Sequence, residues 1–487
     1  MKLYKIFSAL MILSSLLGCD DFLEVEPLDR IDATTFFSTD QEMVIAINGV
    51  YAAQRTVLAR GDGGVPLLFR LLEDRSDNTG ADHTDQGERV ETDLFKEGTG
   101  NNPISGTWES MWTLVNLANK VIATGATAEG DQALIGRIVG EAKFLRAVTY
   151  FHMVNLWGGL PIRTEPTEDF SNTILPRSSV EEVYNLIVND LQDAAAILPD
   201  LYSGGAGSEE GRATNGAALT LLGKAELQRG NNTEAEAALS QVLGRYELLP
   251  NFGDIHARGN DNTAESIFEI NNNPANQTGW FGNNQFIPNN IANDLGIVAG
   301  GSARLFLSIY PTQDLANSFD PADGRIPNTF GINTDGAYEG PYISKYIDLS
   351  AATAGSDINL VLFRYADVLL MYAEAIGESP EAYGYINQVR TRAGLPDIDA
   401  SSPGTFMEKV MNERRWELAF ELHRWIDLLR LPDAEVISIM ETQLEAQQLN
   451  KFGMTVDILL TSDNLLFPIP QNEVDISDGV VEQNPGY

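Results

Sequence analysis

Apolar side chains recur at helical spacing through much of the first half of the chain. A first helix is predicted after Ser38 and Thr39, which form capping boxes with Gln41 and Glu42. Its apolar face is formed by Met43, Val44, Ile47, Val50 and Tyr51. A second helix has the same spacing at Trp108, Met111, Trp112, Val115 and Ile122. The pattern therefore predicts a helical body.

Two longer apolar stretches extend this helical pattern. Residues 131–157 predict a helix whose side chains nearly all face the core. Gly158 and Gly159 are expected to end this helix. A further helix begins with Ser179 and Glu182 as a capping box and ends before Pro199. Its inward positions are Val183, Tyr184, Ile187, Leu191 and Ala194. Neighbouring helices of this kind are expected to pack in pairs.

A helix pair of repeat length follows. Residues 215–229 predict one helix, and after a Gly-Asn-Asn turn Thr233 is expected to cap the next. The unit 212–246 spans about 34 residues, which is the period of tetratricopeptide hairpins. Residues 361–376 with 381–393 predict a second hairpin. The fold class predicted is mostly α, a tetratricopeptide-like hairpin scaffold with long loops and a few short strands.

The middle of the chain differs from this scaffold. Residues 266–270 predict a short strand, and residues 271–358 are rich in glycine, asparagine, proline and aromatic side chains. Long loops on a rigid scaffold commonly carry binding sites. Aromatic faces beside amide groups suit sugars, which present apolar C–H faces edged with hydroxyls. The aromatic candidates are Trp280, Phe281, Phe286, Tyr338 and Tyr342, with Trp280 and Phe281 favoured because glycines flank them.

The N-terminus has the pattern of a lipoprotein signal. Lys2 and Lys5 precede the apolar run 6–17, and Gly18 stands before Cys19, the only cysteine of the 487-residue chain. The run is too short to span a bilayer. We therefore expect residues 1–18 to be removed and Cys19 to carry the lipid. An ordinary secretory signal with an incidental Cys19 is the alternative.

The composition and net charge of the chain limit the classes of partner that it can bind. The hydrophobic fraction of 43% is enough for an extensive core. The 32 lysines and arginines are outnumbered by 69 acidic residues, which gives a net charge of −37. Such a surface repels phosphate backbones, so no nucleic acid partner is expected. Acidity that only keeps the protein soluble explains the charge equally well.

The catalytic motifs that we sought are absent from the sequence. There is no zinc-protease helix, no phosphate-binding loop and no nucleophile elbow. The four histidines lie far apart, and a carboxylate pair of glycosidase type remains a distant alternative. No cofactor is predicted, although a structural Ca²⁺ stays open at the acidic string 73–78 and at the turn 320–324, neither of which has EF-hand spacing.

Several distinctive motifs are distributed over the chain. The most specific is 140–151 (GEAKFLRAVTYF) running into 156–161 (LWGGLP). The others, in chain order, are 22–27 (FLEVEP), 48–51 (NGVY), 211–214 (GRAT), 364–374 (RYADVLLMYAE), 412–421 (NERRWELAFE), 466–470 (LFPIP) and 483–487 (QNPGY). Together these motifs resemble those of the SusD/RagB family of nutrient-uptake outer-membrane lipoproteins.

The resemblance implies a SusD-like fold with an N-terminal helical region, 19–250, interlocked with a C-terminal region, 264–487. It implies a protein that is not an enzyme and is lipid-anchored on the cell surface at the outer membrane. Its partner would be a TonB-dependent transporter of the SusC type, to which it delivers captured oligosaccharides. RagB-like members serve oligopeptides instead, and a surface glycoside hydrolase is the most distant alternative.

The resemblance also implies where ligand contacts and structural contacts lie. Ligand contacts are expected by position at Asp77, Asn78, Asn101, Asn102, Trp280, Phe281, Asn284, Tyr338 and Tyr342. The shared motifs instead read as stabilisers of the fold. Glu421 with Arg424 and Asp427 with Arg430 have i,i+3 spacing, which predicts a buried helix with internal ion pairs. Trp416, Phe420 and Trp425 would spread around that helix.

Overall fold

The computed structural model describes residues 38–59, 67–81, 88–167, 174–202, 209–272, 286–296, 309–336, 338–349, 356–452 and 459–487. In chain order its helices up to residue 294 are α1 Asp40–Ala59, α2 Glu88–Asp93, α3 Asn102–Gly125, α4 Gln132–Trp157, α5 Val180–Ile197, α6 Asn215–Gln228, α7 Asn232–Leu239 and α8 Asn289–Asp294. The later helices are α9 Gln313–Ser318, α10 Tyr365–Ile376, α11 Pro380–Arg392, α12 Phe406–Glu417, α13 Arg424–Leu428, α14 Asp433–Phe452 and α15 Gln471–Ile476.

Shorter elements connect these helices. A single α turn, Leu67–Phe69, continues as a buried π-helix, Arg70–Asp74, and 3₁₀ turns occur at Phe252–Asp254, Ile326–Asn328 and Ser462–Leu465. The strands are β1 Thr79–Ala81, β2 Ser266–Ile270, β3 Ile309–Pro311, β4 Phe330–Asn333, β5 Gly340–Ile343 and β6 Leu360–Arg364. They form the antiparallel pairs β1–β3, β2–β6 and β4–β5. The predicted mostly helical scaffold with a few short strands is confirmed.

The helical scaffold is built as the apolar pattern indicates. Successive helices from α3 to α7 pack against one another, and α10 packs on both α7 and α11. Met43, Ile47 and Val50 are fully buried on α1. Thr39 and Glu42 form a reciprocal capping box at its start. The predicted first helix is therefore confirmed.

The next predicted helix ends are also observed. Asp131 caps α4 by accepting two backbone N–H bonds, and the helix stops at Gly158, whose φ of 75° suits glycine. Ser179 and Glu182 form the predicted capping box of α5. These contacts lie within a few residues of each other, which explains why the sequence reveals them.

Two details of the predicted hairpins are wrong. Thr233 does not cap α7, because the helix already begins at Asn232 and Asn231 occupies the capping position without a side-chain bond. Residues 361–364 do not begin a helix but belong to β6, a fully buried strand that pairs with β2. A buried strand and a buried helix turn share the same apolar run, so pattern alone does not separate them.

The predicted single helix around Arg424 is also wrong. α12 ends at Glu417 and α13 begins at Arg424, because Phe420 and Leu422 adopt positive φ angles of 67° and 68°. Tyr346 donates its hydroxyl to the Phe420 carbonyl at 2.8 Å. This hydrogen bond stabilises the turn between α12 and α13, which nothing in the local sequence indicates.

The turn between α12 and α13 places Glu421 and Arg424 with different partners. Glu421 binds Lys345 and Arg364 instead of Arg424. The Asp427–Arg430 pair, by contrast, is observed at 2.8 Å. One predicted pair is therefore wrong and the other is confirmed.

The core includes both ends of the described chain. One continuous apolar cluster contains residues from α1 through the C-terminal segment, including Trp108, Trp157, Trp425 and Phe467. The interior also contains a buried network of ion pairs, in which Arg325 binds Glu417 and Arg364 binds Glu265 and Glu421. None of the helices in the described ranges is both long enough and apolar enough to cross a membrane.

Candidate functional site

A cluster of three tyrosines lies where the short strands meet. Strand β1 pairs with β3, so that Gly80 of β1 lies opposite Tyr310 of β3. Strand β5 packs beside β3. The ring of Tyr310 lies against that of Tyr338, with 5.6 Å between their centroids. Tyr342 stands on β5 in the same region. Tyr310, Tyr338 and Tyr342 are called the tyrosine cluster below.

The position of Tyr338 is set by hydrogen bonds. Its hydroxyl donates to the carbonyl of Pro341 at 2.6 Å, and its own carbonyl accepts from the amide of Asn333, also at 2.6 Å. Asn333 is held in turn by a reciprocal amide pair with Asn290, at 2.8 and 3.1 Å. The β4–β5 hairpin thus fixes the ring before any ligand arrives.

Tyr342 is positioned by packing rather than by a bond to its hydroxyl. Its ring lies across Gly331 on β4, where a Cβ atom would come within 2.3 Å of the ring carbon Cζ. Partial burial raises the pKa of Tyr342. Within the described part of the chain its hydroxyl makes no hydrogen bond. Its ring and hydroxyl therefore have the chemistry to meet a polar ligand with an apolar face.

Asp77 and Asn78 lie beside the cluster but have structural partners. The Asp77 carboxylate accepts from Arg424 at 2.6 and 2.9 Å and lies 3.1 Å from Arg415. Burial would raise the pKa of Asp77, but Arg415 and Arg424 outweigh burial and hold that pKa at about 2. Asn78 is fully buried, and its Oδ1 accepts from Arg415 at 3.0 Å.

These contacts anchor the strand pair that carries the cluster. Thr312, just after β3, donates its N–H to the Asn78 carbonyl and its hydroxyl to the Asp77 carbonyl, both at 2.9 Å. Asp77 and Asn78 therefore support the site from within. Their predicted contact with ligand stays a prediction.

Asn101 and Asn102 lie at the junction of α2 and α3. The Asn101 side chain caps α3 by accepting from Ile104 N–H, and its amide donates to the Glu88 carbonyl and the Glu91 carboxylate. Asn102 is exposed and donates to the Glu88 carboxylate at 2.7 Å. These two residues contact α2 rather than the tyrosines, and their ligand role stays a prediction.

Other sequence-predicted residues lie outside the described ranges. They are Cys19, Trp280, Phe281 and Asn284. Phe286, another aromatic candidate, is buried, and its ring centroid lies 5.2 Å from that of Phe69. It therefore belongs to the core.

Tyr310 is the member of the cluster that sequence reasoning missed. It stands in the triplet Ile309-Tyr310-Pro311, a short apolar run that ends in proline. Its hydroxyl donates to the Ala81 carbonyl at 3.1 Å across the strand pair. A short apolar run that ends in proline is typical of an edge strand, and this signal could have predicted the position of Tyr310.

The two acidic strings considered for calcium have other partners. Asp323 accepts from the Arg325 side chain at 2.7 to 3.2 Å. In the π-helix, Glu73 accepts from Leu422 N–H at 2.6 Å, and burial raises the pKa of Glu73 to about 8. No group of three or more metal-ligating side chains occurs among the residues that the structure covers.

Comparison with known proteins connects this architecture to one family. Residues 325–487 match the SusD family, and residues 21–227 match a family described as starch-binding and associating with the outer membrane. SusD-like protein P2 of Formosa agariphila is 28% identical over the whole of both chains.

Solved structures agree with the sequence relatives. A laminarin-binding SusD-like protein is 26% identical, with a TM-score of 0.76 over 92% of this chain and 100% of its own. Surface glycan-binding protein A of Bacteroides thetaiotaomicron, solved with laminarihexaose, is 20% identical and shares the fold, with a TM-score of 0.74 over 92% of this chain and 99% of its own. Two family matches that together cover most of the chain, with relatives of full length, show that the chain belongs to the SusD family.

Proposed function

We propose that this protein captures a neutral oligosaccharide at the tyrosine cluster and does not cleave it. The observation that carries the proposal is the partly exposed ring of Tyr338, which is held by the buried Tyr310 and by its bond to Pro341. The partly exposed Tyr342 stands on β5, which packs beside β3. Flat rings held in advance lose little entropy when a sugar face packs on them. The laminarin-binding relative has the same fold and supports a β-glucan as the first ligand to test.

The proposal includes a place and a partner. Cys19 would carry the lipid anchor, and the captured glycan would pass to a SusC-type TonB-dependent transporter in the outer membrane. The signal-like N-terminus and the family description that names the outer membrane support this placement. A lid over a transporter keeps captured ligand at high effective concentration near the pore, so modest affinity is sufficient.

The proposed role is binding without turnover. Carboxylates near the cluster are engaged as structural groups: Asp77 binds two arginines, and Asp93 accepts the Ala81 N–H at 3.0 Å. A glycosidase needs one carboxyl group to donate a proton and another to act as base or nucleophile. The pKa of Asp77, held at about 2, suits an ion pair rather than a proton donor.

Calorimetry with laminarihexaose tests the proposal on the full-length protein in detergent. The wild type should give a saturable response, and chromatography of the mixture should show intact hexasaccharide. Replacing both Tyr338 and Tyr342 with alanine should weaken binding by about fivefold or more, if each ring contributes about the 0.5–1.5 kcal/mol of a typical aromatic contact. Tyr385→Ala, a partly exposed tyrosine on α11, is the matched control and should bind normally.

Three outcomes would count against the proposal. Unchanged binding by the double variant would move the site away from the cluster, and Trp280→Ala with Phe281→Ala would then test the aromatic pair predicted from the sequence. Cleaved hexasaccharide would favour a hydrolase. Binding of a basic oligopeptide without any sugar would favour the RagB-like alternative, which the net charge of −37 makes physically reasonable.

A further inference from the structure

A cavity of about 730 Å³ lies between α12 and α14, and its lining includes Asp77 but none of the three tyrosines of the cluster. Its walls combine polar and charged residues with an apolar part, contributed by both helices and by the turn that joins α13 to α14. The apolar part includes Met407, Met411, Leu431 and Ile439. Binding sites for small molecules have volumes of roughly 300–1,000 Å³. The cavity therefore has room for a ligand of one or two sugar rings.

Two residues of the lining each have one buried polar atom that lacks a partner within the described chain. Arg424 is 7% exposed and binds Asp77 through Nε and Nη2, while its Nη1 makes no hydrogen bond within the described chain. Gln443 on α14 is 5% exposed, and its Nε2 donates to the Thr79 carbonyl at 3.1 Å. The Oε1 atom of Gln443 has no partner among the described residues.

These two atoms have complementary chemistry. Arg424 Nη1 can only donate a hydrogen bond, and Gln443 Oε1 can only accept one. A hydroxyl group does both, because its oxygen accepts while its hydrogen donates. Buried polar groups in proteins are almost always satisfied, so an occupant with hydroxyl groups fits this pair.

The charges around the cavity select against ionic ligands. Arg415 and Arg424 are neutralised by Asp77 and Asp314, and Arg430, the third cation of the lining, pairs with Glu374 and Asp427 outside it. Glu408 and Glu435 add further negative charge to the lining. An anionic ligand would be repelled by this surplus, and a cationic ligand would face the Arg424 guanidinium at the base.

We propose that this cavity is a second binding site, separate from the tyrosine cluster, for a neutral polyhydroxylated ligand of one or two sugar rings. Arg424 donates to a ligand hydroxyl, Gln443 accepts from a ligand hydroxyl, and the apolar side chains of the lining contact the C–H face of the ring. The site does not depend on the function proposed for the tyrosines.

Methionine methyl resonances give a local test. Met407 and Met411 line the cavity, whereas Met153 and Met371 are buried elsewhere in the core. The full-length protein in detergent, with ¹³C-labelled methionine methyl groups, is titrated with laminaribiose. The Met407 and Met411 signals should shift saturably, and the other two should remain in place. Sodium glucuronate, an anionic sugar, should give no shift.

Substitutions on α14 provide the control. Ser438 is exposed and lines the cavity, so Ser438→Trp should fill it and abolish the laminaribiose shift. Ala434→Trp adds the same ring at an exposed position outside the lining and should bind as the wild type does. The variant with alanine at both 338 and 342 should retain the shift, which separates this site from the tyrosine cluster.

Several results would overturn the proposal. If laminaribiose shifts neither methyl group, the cavity holds only water. If the shift survives in Ser438→Trp, the ligand binds elsewhere. If trilysine shifts Met407 and Met411 and laminaribiose does not, the cavity is a peptide site.

Discussion

Replacing Arg364 with methionine should strongly destabilise the protein. Arg364 is fully buried at the junction of β6 and α10. Its guanidinium binds Glu265 at 2.9 Å, contacts Glu417, and binds Glu421 at 2.8 and 3.0 Å. It also donates to the Glu417 carbonyl at 2.6 Å. Methionine keeps much of the volume but removes all of these bonds.

The magnitude follows from the charge balance of the buried network. Its cations equal its carboxylates in number: Arg325, Lys345, Arg364, Arg390 and Arg392 against Glu265, Asp323, Glu413, Glu417 and Glu421. Loss of Arg364 leaves one buried negative charge without compensation. Breaking a buried pair in this way costs about 3–5 kcal/mol. Because total stabilities are about 5–15 kcal/mol, the loss is a large fraction.

The loss of stability in Arg364→Met should depend on pH, and the pKa of Glu421 gives the direction of that dependence. Burial raises the pKa of Glu421, but Arg364 and Lys345 outweigh burial and hold that pKa well below its usual range. In the wild type this stabilisation is present above the unfolded pKa of about 4.3 and is lost as the pH falls towards the folded pKa. Without Arg364 the folded pKa rises, and protonation then relieves the unpaired charge. The deficit of Arg364→Met should therefore be largest near neutral pH and smaller at about pH 5.

Urea unfolding followed by tryptophan fluorescence, at several pH values, measures this deficit. Arg258→Met is the control, because Arg258 is 53% exposed and pairs with Asp357 at 2.7 Å. An exposed pair contributes at most about 1 kcal/mol. Adding Glu421→Gln to Arg364→Met should recover part of the loss, because it removes the uncompensated charge. A loss below about 1 kcal/mol, or a deficit that grows on acidification, would refute the reasoning.

Three further substitutions have defined expectations. Gly331→Ala should displace the Tyr342 ring and weaken laminarihexaose binding in calorimetry, whereas Gly384→Ala, where a Cβ meets nothing within 4 Å, should not; equal affinities would exclude steric control of the ring. Burial raises the pKa of Glu73 to about 8, so native protein binds an extra proton and wild-type stability should fall as the pH rises from about 5 to 8. Glu73→Gln should flatten that fall in urea unfolding, and parallel pH curves would contradict it. Asn101→Ala removes the cap of α3 and should lower the free energy of unfolding by about 1–2 kcal/mol, while an unchanged thermal midpoint would show that the cap contributes little.

Local sequence signals predicted the elements that local interactions build. The α5 capping box joins Ser179 and Glu182, which are three residues apart, and α4 ends where Gly158 can adopt a positive φ. The prediction failed at β6, where a continuous apolar run fits both a buried strand and a helix. It failed again at Phe420, whose positive φ depends on a bond from the distant Tyr346.

The candidate site could be predicted only in part for the same reason. Tyr338 and Tyr342 were identified from composition, because aromatic residues in a loop-rich segment indicate a binding surface. Tyr310 was not, since its contact with Tyr338 exists only after β3 pairs with β1. The resemblance predicts Asp77 as a ligand residue by position, and that stays a prediction. Its bond with Arg424, which joins residues 347 positions apart, is visible only in the tertiary structure.

The sequence by itself determined most of the long helices, the caps of α1 and α5, and the family, because these depend on apolar spacing and on motifs that lie close together along the chain. Only the tertiary structure decided which carboxylate each buried arginine binds and which tyrosines meet. With 69 acidic residues against 32 basic ones, many pairings are chemically equivalent in the sequence. Burial separates them, because an ion pair inside the core is stable only where the fold brings a matching partner within hydrogen-bond distance.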